Sequence, residues 1–125
     1  MREEPESLTL MRYIMRNEIE RVLESMREDY KRWNRNGKTY GRSAEMEKDY
    51  CNGLEVTEGS RYWKIISDKH GSRSVCGFIC KAGDKKFREG DMLKAAGWAA
   101  PARNFARGNV LDGRGVDNVR WTGIG

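Results

Sequence analysis

The residues best suited to bind an anion lie between positions 101 and 109. Arg103 and Arg107 are four residues apart, so they share one face if this stretch turns helically. Each guanidinium offers planar, forked donors that suit a phosphate group. Asn104 and Asn109 can hydrogen-bond to a base edge or to ribose hydroxyls. The segment therefore predicts a phosphate-bearing ligand, with a solvated turn as the alternative for the two arginines.

Aromatic residues near this segment can supply surfaces on which a base stacks. The candidates are Phe78, Trp98 and Phe105. Small residues in the same stretch would let the backbone approach a ligand closely: Ala95, Ala96, Ala99, Ala100, Ala102, Ala106 and Gly108. The alternative is that the rings fill the core, and a single tryptophan such as Trp98 is more often a core residue.

The side chains needed for catalysis or metal binding form no recognisable set in the sequence. His70, the single histidine, stands beside Gly71 in a predicted turn. Cys76 and Cys80 are four apart on a predicted strand, which places them on one face at a separation of roughly 13 Å. They also lack the ligand spacing of a zinc site, and no phosphate-binding glycine motif occurs. We therefore expect no enzyme, no metal and no cofactor, with the thiols buried in a strand.

The distribution of charge favours a ligand in the second half of the chain. The 125 residues carry 24 basic and 19 acidic side chains, a net charge of +5. Residues 61–125 have a net charge of +7, whereas residues 1–60 have a net charge of −2. A cationic half of this size suits a small phosphorylated ligand or a nucleic acid.

A long helix is predicted from Ser7 to about Asn34, because apolar residues recur there every three or four positions. At 1.5 Å per residue it would be roughly 40 Å long, which exceeds the roughly 30 Å diameter of a compact domain this size. The helix must therefore project or lie against another subunit. Its methionine-rich stripe is either an oligomer interface or intramolecular core, and consists of Leu8, Met11, Met15, Ile19, Val22, Met26, Tyr30 and Trp33.

A second basic group follows the end of this helix. It comprises Arg27, Lys31, Arg32, Arg35, Lys38 and Arg42. Such a group can contact nucleic acid, but cations also complement the dipole at the end of a helix. We favour the solvated helix end.

The remaining pattern predicts an α+β fold, in which a long and a shorter helix precede a small antiparallel β-sheet. The second helix covers Ser43 to Leu54, and an ordered loop with one helical turn covers Gly97–Gly115. Strands are predicted at Tyr62–Ile66, Val75–Cys80, Met92–Lys94 and Val119–Trp121. We accordingly divide the chain into a helical, oligomerising region, 1–58, and a ligand-binding sheet region, 59–125.

Several blocks of the second half resemble the first-described family of Thoeris anti-defence proteins of bacteriophages. They are Gly77–Ile79, Lys85–Phe87, Gly90–Lys94, Pro101–Asn104, Ala106–Asn109 and Trp121–Gly123. The resemblance covers about residues 60–125 and only loosely extends to the helices. It implies a protein that binds and holds intact the cyclic ADP-ribose isomers made by bacterial TIR-domain proteins, so that the immune effector receives no signal.

The same resemblance implies an architecture and a site. Members have two N-terminal helices and an antiparallel sheet, assemble as dimers and hexamers, and in some cases also bind cyclic oligonucleotides at separate sites. Arg103 and Arg107 match the family's pair of arginines near the C-terminus. A pocket aromatic residue and an asparagine are also expected, for which Phe78, Phe105, Asn104 and Asn109 are candidates.

These observations lead to one expectation and two alternatives. The sequestering protein would act in the cytoplasm of an infected bacterium, in line with few cysteines, no apolar N-terminal stretch and no bilayer-spanning segment. A basic nucleic-acid-binding regulatory module is the main alternative. A module that inhibits a host protein through the methionine-rich helix is the other.

Overall fold

The structure, a computed structural model, describes residues 6–36 and 42–125 and has an α+β fold. Its four strands form one antiparallel sheet in the order β1-β2-β3-β4. This confirms the predicted class of two helices followed by an antiparallel sheet. The elements are α1 (Glu6–Asn36), α2 (Arg42–Asn52), β1 (Leu54–Glu58), β2 (Tyr62–Lys69), β3 (Ser72–Cys80), β4 (Met92–Leu93) and a 3-10 helix (Val116–Asn118).

The methionine-rich stripe of α1 is intramolecular core over most of its length. Met15, Ile19, Val22, Met26 and Tyr30 are each at most 2% exposed and pack in one cluster with residues of the sheet. The stripe therefore meets the sheet of its own chain and is not free to form an oligomer interface. Its two ends behave differently, because Leu8 and Trp33 are more than half exposed.

Strand β1 replaces the predicted end of the second helix. Helix α2 stops at Asn52, and Leu54 already pairs with Ser67 of β2. Gly53 permits the change of direction, since a Cβ at this position would lie 2.1 Å from the carbonyl oxygen of Asp68. The predicted boundary between residues 58 and 59 thus falls between two paired strands.

The β2–β3 hairpin contains a bulge that places its two cysteines on opposite faces of the sheet. The hairpin turns at His70 and Gly71, which have φ values of 51° and 84°, as a type I′ turn requires. Further along, Ile65 pairs with Gly77 but Ile66 pairs with Val75, which leaves Cys76 as an extra residue. Cys76 consequently packs in the core under the helices, whereas Cys80 belongs to a cluster on the other face. The prediction that the two thiols share a face is therefore wrong.

The chain after β4 has little regular structure and packs on both faces of the sheet. Ala95 and Ala106 lie against the cluster of the second face, whereas Val110 and Ile124 belong to the core under the helices. Residues 97–115 contain no helical turn, and backbone bridges such as Ala95 with Pro101 and Asn109 with Arg114 hold them in place. The predicted strand at Val119–Trp121 is also wrong. Arg120 makes only an isolated bridge with Gly123, because the chain there curves back to β3, where the Ile124 N–H donates to the Cys76 carbonyl.

No helix of the described residues is long and apolar enough to cross a membrane.

Candidate functional site

The candidate site lies on the face of the sheet opposite the helices. Strand β2 presents Tyr62 and Lys64 there, two positions apart and hence separated by roughly 7 Å along the strand. Phe78 of β3 pairs with Lys64 in the register, and its ring lies 5.6 Å from that of Tyr62 in an edge contact. Phe78 is 1% exposed, so it forms the floor of this face and offers no surface to a ligand.

Arg103 is fixed at one end of this face by Asp84. Its Nη2 donates to Asp84 Oδ1 at 2.9 Å and its Nη1 to Asp84 Oδ2 at 3.0 Å. Nη1 also donates to the Tyr62 hydroxyl at 2.5 Å, and the guanidinium carbon lies 5.0 Å from the Phe87 ring centroid. Arg103 is therefore preorganised in a defined position, with about a third of its side chain still exposed.

Asp84 is the centre of this end of the site. Besides Arg103, its Oδ1 accepts the backbone N–H groups of Lys86 and Phe87, and Arg61 lies at 3.6 Å from its Oδ2. Hydrogen bonds from Arg103 and then from the two amides hold the pKa of Asp84 well below its usual range. The same carboxylate raises the pKa of Arg103 further above its ordinary value. Both groups stay charged over the whole physiological range.

Trp98 stands at the other end as an exposed ring flanked by cations. The loop closed by the Ala95–Pro101 bridge carries it, and it is 48% exposed. Lys64 Nζ lies 4.5 Å and Arg73 Cζ 5.8 Å from the centroid of the indole. An aromatic surface with two cations beside it can stack a base and attract a phosphate.

Asn104, Phe105 and Arg107 form a separate unit on the surface. Arg107 Nη1 donates to Asn104 Oδ1 at 2.9 Å and to the Phe105 carbonyl at 2.8 Å. Its guanidinium carbon lies 3.9 Å from the centroid of the Phe105 ring, which is 58% exposed. Because the backbone here is not helical, Arg103 and Arg107 do not share a helical face as the spacing predicted.

Asn109 lies in the interior and supports the surrounding loops. It is 1% exposed, and its Nδ2 donates to the Glu89 carbonyl at 2.9 Å and to Asp91 Oδ1 at 2.8 Å. Its Oδ1 accepts the Leu111 N–H at 2.7 Å. All three contacts are to the chain itself, so its side chain holds two loops together and presents no group to the surface.

The residues that complete the basic end of the site are not among those predicted from the sequence. A cavity of about 330 Å³ opens beside Arg103 and is lined by Ser60, Arg61, Lys81, Ala82, Gly83, Asp84, Lys85 and Arg103. We call it the basic cavity. The sequence does carry a signal for Asp84. An aspartate in a turn often accepts a hydrogen bond from the backbone N–H two residues further on, and Asp84 follows Gly83 after the end of a predicted strand.

The second basic group, at the end of α1, pairs with acidic residues of the same helix. Arg27 contacts Glu20 and Glu24, Lys31 contacts Glu28, and Arg32 contacts Asp29. These pairs agree with a solvated helix end. Lys38 and the side chains of Arg35 and Arg42 lie outside the described part of the chain.

The nucleophilic and metal-binding side chains lie apart from this site or within the core. His70 is at the hairpin turn, 3.2 Å from Asp49. Burial raises the pKa of Cys76 and of Cys80 to about 11, so both thiols are protonated at neutral pH. Within residues 6–36 and 42–125, no three histidine, cysteine or acidic side chains come together to hold a metal ion.

Comparison with models of protein families matches residues 6–124 to a family of unknown function, DUF7717. The match includes both helices, the sheet and the C-terminal segment. No curated protein and no solved structure matches the chain.

Proposed function

Because the chain belongs to DUF7717, a family of unknown function, we propose its function from its own geometry. The protein binds a cyclic ADP-ribose-type signalling nucleotide and sequesters it without degrading it. In an infected bacterium, a phage protein of this kind would block Thoeris immunity, as the resemblance of residues 60–125 implies. The function is stoichiometric, because each bound nucleotide is one signal withheld from the immune effector.

One observation carries this proposal: a fixed arginine and an exposed indole lie on the same face of β2. Arg103 is bound to Tyr62, and Trp98 stacks against Lys64, two positions along the strand. The two anchoring residues are roughly 7 Å apart along β2. A nucleotide likewise joins a phosphate to a base through one ribose, so the two groups can engage both of its ends.

The chemistry of this face favours binding over cleavage. Its exposed groups are guanidinium, ammonium and aromatic groups, which hold charge or stack, and its one thiol, Cys80, is fully buried. An arginine keeps its charge throughout the physiological pH range and binds a phosphate as a charged donor of hydrogen bonds. We therefore propose that the nucleotide is released intact when the protein unfolds.

The available contacts are sufficient for tight binding. Two charge-assisted hydrogen bonds at about 1.5–3 kcal/mol each and one stacked base at roughly 1–3 kcal/mol give roughly 4–9 kcal/mol. Binding at 1 μM requires about 8.2 kcal/mol. The upper part of that range is reached when the groups are already ordered, as Arg103 is by Asp84 and Tyr62.

Calorimetric titration of the purified protein with cyclic ADP-ribose isomers, NAD, ADP-ribose and cyclic di- and trinucleotides tests the proposal. We expect submicromolar binding of a cyclic ADP-ribose isomer, recovered unchanged after heating. Trp98→Ala should weaken it about 5- to 150-fold, the range of 1–3 kcal/mol for one lost stack. Trp33→Ala is the matched control, because Trp33 is 53% exposed on the opposite side of the sheet and should leave affinity unchanged. Equal affinities of wild type and Trp98→Ala would contradict the site.

The alternative function, a basic nucleic-acid-binding regulatory module, has one observation in its favour. Several cations share two carboxylates along one edge: Arg16 and Lys81 contact Glu58, and Arg61 and Arg103 contact Asp84. Binding to such an edge should fall linearly with the logarithm of salt concentration, with a slope of about −0.7 per phosphate for a single strand. A salt-sensitive complex with an oligonucleotide, together with no response to any small nucleotide, would replace the sequestration proposal.

We also propose that the protein forms a homo-oligomer, a dimer or a hexamer built from three dimers, as the resemblance implies. Since the methionine-rich stripe is buried, the contact must use other residues. The first turns of α1 leave Leu8, Leu10 and Tyr13 between 54% and 66% exposed.

A further inference from the structure

The basic cavity is a distinct feature beside the exposed indole surface. Three segments enclose it: Ser60 and Arg61 before β2, residues 81–85 after β3, and Arg103 from the C-terminal segment. Its volume of about 330 Å³ is at the lower end of small-molecule sites, which span roughly 300–1,000 Å³. This size suits a phosphate or a pyrophosphate and leaves a base and its ribose outside.

The basic cavity has more cations in its lining than the chain has carboxylates to neutralise them there. Four cations, Arg61, Lys81, Lys85 and Arg103, face one carboxylate, Asp84, a balance of +3. Lys81 also binds Glu58 Oε2 at 2.5 Å, and including Glu58 still leaves +2. A dianion therefore matches the remaining charge of the cavity.

The donors are also arranged before a ligand arrives. Asp84 holds Arg103 with two parallel hydrogen bonds and binds Arg61 more loosely, at 3.6 Å with two thirds of its side chain exposed. Gly83, with φ 95°, has no atom within 4 Å of the position of a Cβ, so this wall is open to a ligand. An ordered guanidinium beside the exposed cations Arg61 and Lys85 is suited to bind a phosphate that has two or more charged oxygens.

We propose that the basic cavity binds a pyrophosphate group, through Arg61, Lys81 and Lys85 together with the preorganised Arg103. The proposal rests on the proposed function in one respect only: the pyrophosphate would be that of the sequestered nucleotide, whose base stacks at Trp98. Asp84 acts as a positioning residue. It holds the guanidinium of Arg103 in place, and as a carboxylate it does not itself bind the anionic ligand.

Titration of the full-length protein with inorganic pyrophosphate at low ionic strength tests the assignment. We expect wild type to bind it in the micromolar to millimolar range and Lys85→Glu to weaken binding at least tenfold. Lys94→Glu is the matched control, since it makes the same change of charge at an exposed lysine outside the cavity, and should change affinity less than twofold. Arg61→Ala is the second variant and should weaken binding about threefold or more. Circular dichroism establishes that each variant is folded.

The outcomes separate this assignment from the proposed function. Two results would overturn the cavity assignment. Lys85→Glu and Lys94→Glu could weaken pyrophosphate binding equally, or the wild type could fail to bind pyrophosphate at about 5 mM. A different result would leave the cavity assignment standing while the proposed function fails. Pyrophosphate would bind as expected, Trp98→Ala would leave pyrophosphate binding unchanged, and no cyclic nucleotide would bind. If a cyclic ADP-ribose isomer binds Lys85→Glu as tightly as wild type, only the cavity assignment fails.

A single-stranded decathymidylate distinguishes the source of the phosphate. The oligonucleotide could bind at least tenfold more tightly than pyrophosphate, with binding weakened by Lys85→Glu. That result would assign the cavity to nucleic-acid phosphates and overturn the small-ligand assignment. Weaker or undetectable binding supports a small pyrophosphate-bearing ligand.

Discussion

Asp84 connects three parts of the chain that are distant in sequence. Its side chain is 5% exposed and binds Arg103, Arg61 and the amides of its own loop. The loop after β3 and the C-terminal segment are thereby fixed to the start of β2. A carboxylate in this position stabilises the fold and orders the site with the same hydrogen bonds.

The lowered pKa of Asp84 predicts a pH dependence of stability. An aspartate with a folded-state pKa below its unfolded value of about 3.9 stabilises the fold above that value and loses the effect as pH falls below it. We therefore expect the urea midpoint of wild type to fall between pH 5 and pH 2.5 by more than that of Asp84→Asn. The control is Asp117→Asn, an exposed aspartate of the 3-10 helix, which should retain the wild-type slope. A parallel decline in wild type and Asp84→Asn would show that Asp84 contributes nothing to acid stability.

At the scale of elements, α1 organises the molecule by lying along the sheet. It has 31 residues and is therefore roughly 46 Å long. Its buried positions follow the three- and four-residue spacing from Met15 to Tyr30, where the chain packs against Trp63, Ile65 and Ile79. The ends extend past this contact, which explains why Leu8 and Trp33 are exposed although they continue the same stripe.

Substitutions that shorten side chains of α1 should affect the free energy of unfolding strongly in the buried stripe and weakly at the exposed end of the helix. Ile19 is completely buried, so Ile19→Ala should lower the free energy of unfolding by about 2–5 kcal/mol. Leu10 is 58% exposed within one subunit, so at protein concentrations at which the protein is monomeric Leu10→Ala should change the free energy of unfolding by no more than about 0.5 kcal/mol. Equilibrium urea unfolding measures both. Equal losses in the two variants would mean that the apolar end of α1 is buried in solution by another surface.

The elements show why the sequence predicted some features and missed others. The stripe of α1 and the hairpin of β2 and β3 have strong local patterns, and both are present. β1 has five residues of mixed polarity, and contacts with distant residues stabilise it: it pairs with β2, and Leu54 and Val56 pack with the core. The bulge at Cys76 does have a local signal, because Gly77 stands beside it and a glycine inside a strand suggests a bulge. What this glycine admits is visible only in the structure, since Ile124 packs within 3 Å of a Cβ position at Gly77.

At the scale of the whole molecule, the two faces of the sheet have different roles. One face is closed by α1 and α2 and contains the larger apolar cluster. The other carries a smaller cluster, the cationic and aromatic side chains and the basic cavity. The basic residues of 61–125 contribute to both sides. Lys64 lies on the second face beside Trp98, whereas Lys69 contacts the rings of Tyr30 and Tyr50 in the helix-covered core.

The proposed homo-oligomer gives a prediction at this scale. Wild type should have a solution mass that is a multiple of 14.4 kDa by light scattering after gel filtration. The double variant Leu10→Glu, Tyr13→Glu should be monomeric and folded, because both residues are exposed on neighbouring turns of α1 and burying charge at an interface is costly. A wild-type mass of 14.4 kDa would exclude the oligomer. An unchanged multiple in the double variant would place the contact elsewhere.

The sequence by itself determined that two helices precede an antiparallel sheet, where the apolar stripe of α1 and the β2–β3 turn lie, and that positive charge is concentrated in the second half of the chain. These features depend on residues close together in the chain, whose spacing or composition is visible without a partner. Only the tertiary structure decided which predicted site residues meet. It buried Phe78 and Asn109, tied Arg103 to Asp84 and separated it from Arg107, and it brought Tyr62 beside Arg103 and Lys64 beside Trp98. Those contacts join residues up to 41 positions apart, and strand pairing, the bulge and the return of the C-terminal segment set their geometry together.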